Sequence, residues 1–149
     1  MRYTIRTVVK ADEDIIRKLF QEMLRTIYDT EDVKGYEDGY LDRFFAGKED
    51  RIYVAEDGKV TAFLSVEVHH EEHDYIYLDD LCVTKACRNK GIGTMMVNTA
   101  ESYAKEKKLS AVLLHVEKTN TGALRLYKRM GFAVFRDDGH RYLMKKNIG

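Results

Sequence analysis

The chain has 149 residues, 44% of them hydrophobic and 34% charged, a composition that suits a folded domain and carries no signature of disorder. Lys plus Arg and Asp plus Glu both number 25, so the formal net charge is zero and no basic excess is available to hold nucleic acid. No apolar run reaches the ~18 residues of a membrane span and the opening MRYTIRTVVK lacks a signal-type apolar stretch, so a cytoplasmic protein with neither a membrane nor a nucleic-acid partner is expected.

In chain order, residues 3–9 are rich in β-branched side chains and predict a strand. Ile15, Leu19, Met23 and Ile27 then recur at helical spacing, with Ile16, Phe20 and Leu24 beside them and Asp12 placed as N-cap. Residues 28–42 mix Asp29, Glu31, Asp32, Glu37, Asp38 and Asp42 with Tyr28, Tyr36 and Tyr40, and read as a loop leading into a short helix at about 37–46. Strands at 51–56 and 60–68 follow, joined by a turn at Asp57-Gly58.

The polar stretch 69–74, HHEEHD, is a loop without the defined ligand spacing of a metal site, and no metal is expected. The strand at 75–84 changes parity. Ile76 and Leu78 alternate on one face, whereas Leu81 and Val83 fall on the other, so an extra residue is expected as a β-bulge at Asp79-Asp80. A glycine-rich turn at 88–93 opens a helix through about Lys107, with Met96, Ala100, Tyr103 and Ala104 turned to the core. Residues 111–116 are almost continuously apolar, as in a central strand covered on both faces, and His115 within them reads as a satisfied core histidine. A helix at about 120–130 ends at Gly131, and strands near 131–136 and 140–146 turn at Asp138-Gly139. The order predicts a single α/β domain over residues 1–149, a mixed sheet with helices on both faces. Cys82 and Cys87, the only 2 cysteines, read as free thiols.

The segment LCVTKACRNKGIGTMM carries the strongest chemical signal. A strand, a glycine turn and a helix start in succession leave backbone N–H groups free to bind phosphate, with Arg88 and Lys90 adding positive charge. By itself such a turn is weak evidence, and the P-loop spacing is absent.

Arg88-Asn89-Lys90-Gly91-Ile92-Gly93 resembles the [Q/R]-x-x-G-x-[G/A] pyrophosphate loop of the GNAT-type N-acetyltransferases. The likeness extends upstream through Leu81-Cys82-Val83 and downstream through Leu114, Val116, Asn120, Ala123, Tyr127 and Gly131-Phe132, over about residues 75–135 in the family's order and spacing. The resemblance implies a GNAT fold: a mixed, mostly antiparallel sheet of six or seven strands, about four helices, and two central strands splayed around acetyl-coenzyme A. It also implies cofactor contacts from Leu81, Cys82 and Val83, from Arg88, Asn89, Lys90, Gly91, Ile92, Gly93 and Thr94, and from Asn120 and Tyr127. Lys85 departs from the pattern, standing where many relatives have proline.

Tyr127 falls where the family often has a tyrosine that protonates the departing thiolate; a phenol of pKa about 10 and a thiol of about 8.5 are not badly mismatched. An acceptor ammonium must lose a proton before its nitrogen attacks. Asp79, and after it Asp80, is the expected base, since residues 77–83 look like the acidic strand of small-amine and polyamine acetyltransferases. Tyr28, Glu31, Asp32 and Tyr36 lie in the region that would bind the acceptor, and their charge and aromatic rings suit a small cationic amine. Direct attack in a ternary complex is expected, and a homodimer is left open. The alternatives are acetylation of protein N-termini or lysines, and a non-catalytic acyl-CoA-binding module.

Overall fold

The computed structural model describes residues 3–149. The elements follow the expected order: β1 (Thr4–Thr7), α1 (Glu13–Tyr28), α2 (Asp42–Phe45), β2 (Arg51–Glu56), β3 (Val60–His69), β4 (Tyr75–Val83), α3 (Ile92–Glu106), β5 (Ala111–Glu117), α4 (Thr121–Arg129), β6 (Ala133–Asp137) and β7 (Arg141–Asn147). The strands form one seven-stranded sheet in the order β1-β2-β3-β4-β5-β7-β6. It is mixed: β4 pairs in parallel with β5, while β1–β2, β2–β3, β5–β7 and β6–β7 are antiparallel. A parallel neighbour requires a crossover, which α3 provides between β4 and β5. The registered β4–β5 pairs run from Tyr75↔Ala111 to Leu78↔Leu114, although β4 continues to Val83 and β5 to Glu117.

The chain packs as two units, one of residues up to Val66 together with Asp80–Thr99, the other of Glu67–Asp79 and Ala100–Gly149. In the first, the buried cluster joins Ile16 and Leu19 of α1, Leu41 and Phe44 at α2, Ile52 and Val54 of β2, Phe63 of β3 and Cys82 of β4. In the second, Val112, Leu114 and Val116 of β5, Met144 of β7 and Ala100, Tyr103 and Ala104 of α3 are buried. Ala111, Leu113 and Leu143 form a further apolar cluster with Tyr75 and Tyr77 against it.

Three details differ from the sequence reading. Asp12 is not a side-chain cap: a 3-10 turn at Lys10–Asp12 precedes α1 and leaves Asp12 at φ −83°, ψ −6°, instead of the extended conformation a capping residue adopts. Its carboxylate instead accepts the Val9 N–H at 2.8 Å and two bonds from Arg6 at 2.9 and 3.0 Å. The helix expected at 37–46 contracts to the single turn Asp42–Phe45. Finally, α1 outruns the core it covers, so Ile27 at the end of its apolar stripe is 61% exposed.

Candidate active site

The segment that the sequence marks for an anion lies wholly in the first unit. Beyond β4 the Thr84 N–H donates to the Thr61 carbonyl at 2.8 Å, and a 3-10 turn covers Lys85–Cys87. Asn89 (φ 64°) and Gly91 (φ 79°) then take left-handed conformations that lift the chain into the start of α3 at Ile92. The first amides of a helix have no partner within it, and the first turn of α3 contains no acidic residue. A Cβ on Gly91 would meet nothing within 4 Å, so the turn is open to a ligand, with Asn89 and Lys90 exposed beside it. Buried Ile92 anchors the helix start, and half-buried Thr94 completes its first turn. This open, amide-lined turn flanked by Lys90 and Arg88 fits a pyrophosphate.

Neighbouring residues of β4 point to opposite sides, as the pleat demands. The Leu81 side chain rests on the start of α3, its Cδ2 being 3.4 Å from where a Cβ on Gly93 would stand. Cys82 is 2% exposed in the first unit's core, with Sγ 3.3 Å from Met23 Sδ. Its thiol is therefore turned into packing and is not poised as a nucleophile. The Val83 carbonyl accepts from Arg88 Nε at 3.1 Å.

The aspartate pair is divided in its partners. The Asp80 N–H donates to the buried Ser65 Oγ at 2.9 Å, a backbone donor met by a side chain at the position where the ladder was expected to be irregular. Asp80 Oδ2 also accepts from Tyr36 Oη at 2.6 Å. Burial first, and the Asp80 charge second, push the Tyr36 phenol far above its usual pKa, so it remains a donor at every working pH. The Tyr36 ring stacks between Phe20 (3.8 Å between centroids) and Tyr40 (4.8 Å). Asp79, one residue earlier, is exposed. The residues expected to line an acceptor wall do not share one environment: Tyr36 is turned inward, whereas Tyr28 is 68% exposed and the Glu31 side chain 97% exposed. Asp32 is exposed as well, its N–H donating to Thr30 Oγ1 at 3.2 Å.

In the second unit, Asn120 and Tyr127 are placed by the two ends of α4. Asn120 is the N-cap, its Oδ1 accepting the Ala123 N–H at 3.1 Å. At the other end the Phe132 N–H reaches the Tyr127 carbonyl at 2.9 Å and the Gly131 N–H reaches Lys128 at 3.1 Å. That pair of bonds is a Schellman motif. It requires the left-handed conformation of Gly131 (φ 98°) and brings buried Phe132 edge-on to the Tyr127 ring, 5.7 Å between centroids. The spacing Tyr127…Gly131-Phe132 thus fixes the tyrosine's position. Burial raises the Tyr127 pKa, which keeps the phenol protonated.

The same unit contains a chain of polar groups that the sequence reading did not assemble. Tyr77 Oη lies 2.6 Å from His115 Nδ1, and His115 Nε2 lies 2.8 Å from Asp138 Oδ2. Arg136 forks onto Asp138 at 2.6 and 3.1 Å; its hydrogen bond, and next that of His115, hold the Asp138 carboxyl well below the usual range. An ionised carboxylate only accepts, so Nε2 carries the imidazole proton, and Nδ1 accepts from the Tyr77 hydroxyl. Tyr77 and His115 line a cleft of about 500 Å³, floored by Tyr75, Leu113 and Leu143, with Glu71 and Glu72 of one sign and Arg136 and Lys145 of the other among its lining residues. His115 is therefore satisfied, as its place in an apolar run suggested, but it also faces a cleft. The signal available was a polar side chain in a run of buried ones; its partners stand 38 and 23 residues away. In the 69–74 loop, His70 pairs with Asp74 at 3.1 Å, while the preceding His69 pairs with Glu67 and stacks on Tyr75.

Residues 16–132 match the model of a family described as the acetyltransferase (GNAT) family. An uncharacterized N-acetyltransferase of Methanocaldococcus jannaschii is 31% identical over 138 residues, which is 87% of this chain; the chain spans 60% of that relative's length. Among solved structures, PaiA N-acetyltransferase from Thermoplasma acidophilum in complex with coenzyme A has a TM-score of 0.79 at 18% identity, covering 99% of this chain and 100% of that one. Naa50 of Arabidopsis thaliana in complex with the bisubstrate analogue CoA-Ac-MVNAL has a TM-score of 0.75 at 17% identity, covering 99% and 100%.

Proposed function

The chain belongs to the acetyltransferase (GNAT) family, and from that footing we propose that it transfers an acetyl group from acetyl-CoA to a primary amine by direct attack in a ternary complex. The amides and glycines of residues 88–94, with the backbone of residues 81–83, bind the donor; Asn120 and Tyr127 complete its contacts. Acetyl-CoA supplies the activated acyl carbon and a thiolate leaving group. Tyr127 gives that thiolate its proton, a role supported by the burial that keeps the phenol protonated.

Residues 1–149 act in this reading as one catalytic domain. The amine is the free α-amino group of a polypeptide. One observation carries that choice: the mixed-charge cleft of the second unit, about 500 Å³ in volume, is lined by Tyr77 and His115, so a proton acceptor faces it. The proton leaves the amine, directly or through water, for the Tyr77–His115 pair, and Asp138 stabilises the imidazolium that results. Asp79 is the alternative base, and Asp80 stands behind it because its carboxylate already accepts from Tyr36. The likeness in fold to Naa50, solved with CoA-Ac-MVNAL, is in keeping with this reading.

A small cationic amine is the second reading. It is favoured by the carboxylates of residues 28–42, and weakened by the outward placement of Glu31 and Tyr28. The two separate in a side-by-side assay of short peptides with free N-termini against diamines and polyamines. The peptide reading predicts the higher kcat/KM for peptides, largely insensitive to salt. A preference for diamines that fades as salt shortens the Debye length to about 8 Å or less would transfer the assignment to the acidic stretch.

A further inference from the structure

The donor site has a support that lies outside it, on α1. Glu22 Oε1 accepts the Lys85 N–H at 2.9 Å, Glu22 Oε2 lies 3.4 Å from the Thr84 hydroxyl, and Arg88 Nη2 is 4.0 Å from Oε1. A carboxylate facing a pyrophosphate turn is electrostatically costly to the anion, so its presence calls for a compensating role. That role follows from Lys85. A lysine at this position has a backbone N–H to satisfy and a φ that the residue itself does not lock, where a proline would have no N–H and a fixed φ. Thr84 precedes it with φ −57° and ψ 145°, the extended conformation that a following proline favours. In this chain the constraint comes from Glu22, whose carboxylate takes the N–H and pins the strand exit from which the 3-10 turn, Arg88 and the anion turn all hang. Arg88 is held at the same point by the Val83 carbonyl and the Glu22 carboxylate, leaving its charge beside the turn.

We propose that Glu22 is a positioning residue for the pyrophosphate site, doing through a hydrogen bond to Lys85 N–H what a proline ring would do covalently. The inference rests on the acetyl-CoA reading above, and binding of CoA itself keeps the two separable: a wild-type chain that binds no CoA defeats that reading, not this one. The experiment measures CoA affinity by calorimetry in a double-variant cycle. Glu22→Ala should weaken CoA binding about 10-fold, the worth of one hydrogen bond to a charged group, with kcat at saturating donor nearly intact. Glu22→Gln keeps an acceptor oxygen and should stay within about threefold of wild type. Lys85→Pro should bind CoA normally and make Glu22 dispensable, so that adding Glu22→Ala in that background changes affinity by less than about twofold. Equal losses in the lysine and proline backgrounds, or unchanged affinity in Glu22→Ala, would overturn the proposal. If Glu22→Ala alone fails to fold, a folded Lys85→Pro/Glu22→Ala double variant with normal affinity supports it, and one with weakened affinity overturns it.

Discussion

Replacing His115 with alanine should lower kcat by about 10²–10⁴-fold, the usual worth of general base catalysis, while CoA affinity stays unchanged. The expectation follows from the chain of Tyr77, His115 and Asp138, at 2.6 and 2.8 Å, in which the carboxylate fixes the tautomer and leaves Nδ1 as the acceptor. The groups facing the imidazole are Tyr77 of β4 and Asp138 of the β6–β7 turn, with Arg136 of β6 beyond it. Because Asp138 is held below the usual carboxylate range, first by Arg136 and then by His115, it remains ionised as pH falls and keeps supporting the imidazolium. Wild-type kcat/KM should rise with pH, since the acceptor ammonium must lose its proton before its nitrogen attacks. Tyr77→Phe and Asp138→Asn should each lower the same parameter by less. Asp79→Asn serves as the control and should cost under about threefold. A loss of two orders of magnitude in Asp79→Asn, with His115→Ala near wild type, would return the base to Asp79.

Tyr127→Phe should also lower kcat by about 10²–10⁴-fold, with little change in CoA binding. The Schellman motif at Gly131 depends on the backbone, and the Phe132 contact depends on the ring, so phenylalanine keeps both. What it removes is the hydroxyl. Burial raises the Tyr127 pKa above its ordinary value of about 10, so no limb of the wild-type pH profile below that value should come from its ionisation. A loss under about threefold would assign the hydroxyl to packing and the proton to water.

The parts of this molecule legible in the sequence are those governed by local rules. The helical stripe of α1, the apolar run of β5 and the glycine turn before α3 each announce their element through periodicity or backbone chemistry, and each formed where expected. Tyr127, Gly131 and Phe132 were legible as a spacing because a single helix end ties them together. What the sequence could not show depends on pairing across distance. The sequence places Asp80 second to Asp79 as base but shows no partner for it; that partner is Tyr36, 44 residues away. The carboxylates of residues 28–42 looked like one wall because composition says nothing of direction; the stacking of Phe20, Tyr36 and Tyr40 turns one tyrosine inward while Tyr28 faces solvent. His115 reads as a core residue because residues 111–116 are an almost continuous apolar run, and only the Tyr77 and Asp138 side chains give it a direction. Glu22 gave no signal of any kind, lying on the polar side of an amphipathic helix.

Thiol release measures directly whether this chain catalyses acetyl transfer or only binds the donor. Incubated with acetyl-CoA and a peptide bearing a free N-terminus, the protein should release CoA thiol only when the acceptor is present. Each thiol should be matched by one acetylated α-amine in the product's mass spectrum. Acetyl-CoA that binds yet yields no thiol with any peptide, diamine or polyamine would contradict the account and leave a non-catalytic acyl-CoA-binding module in its place.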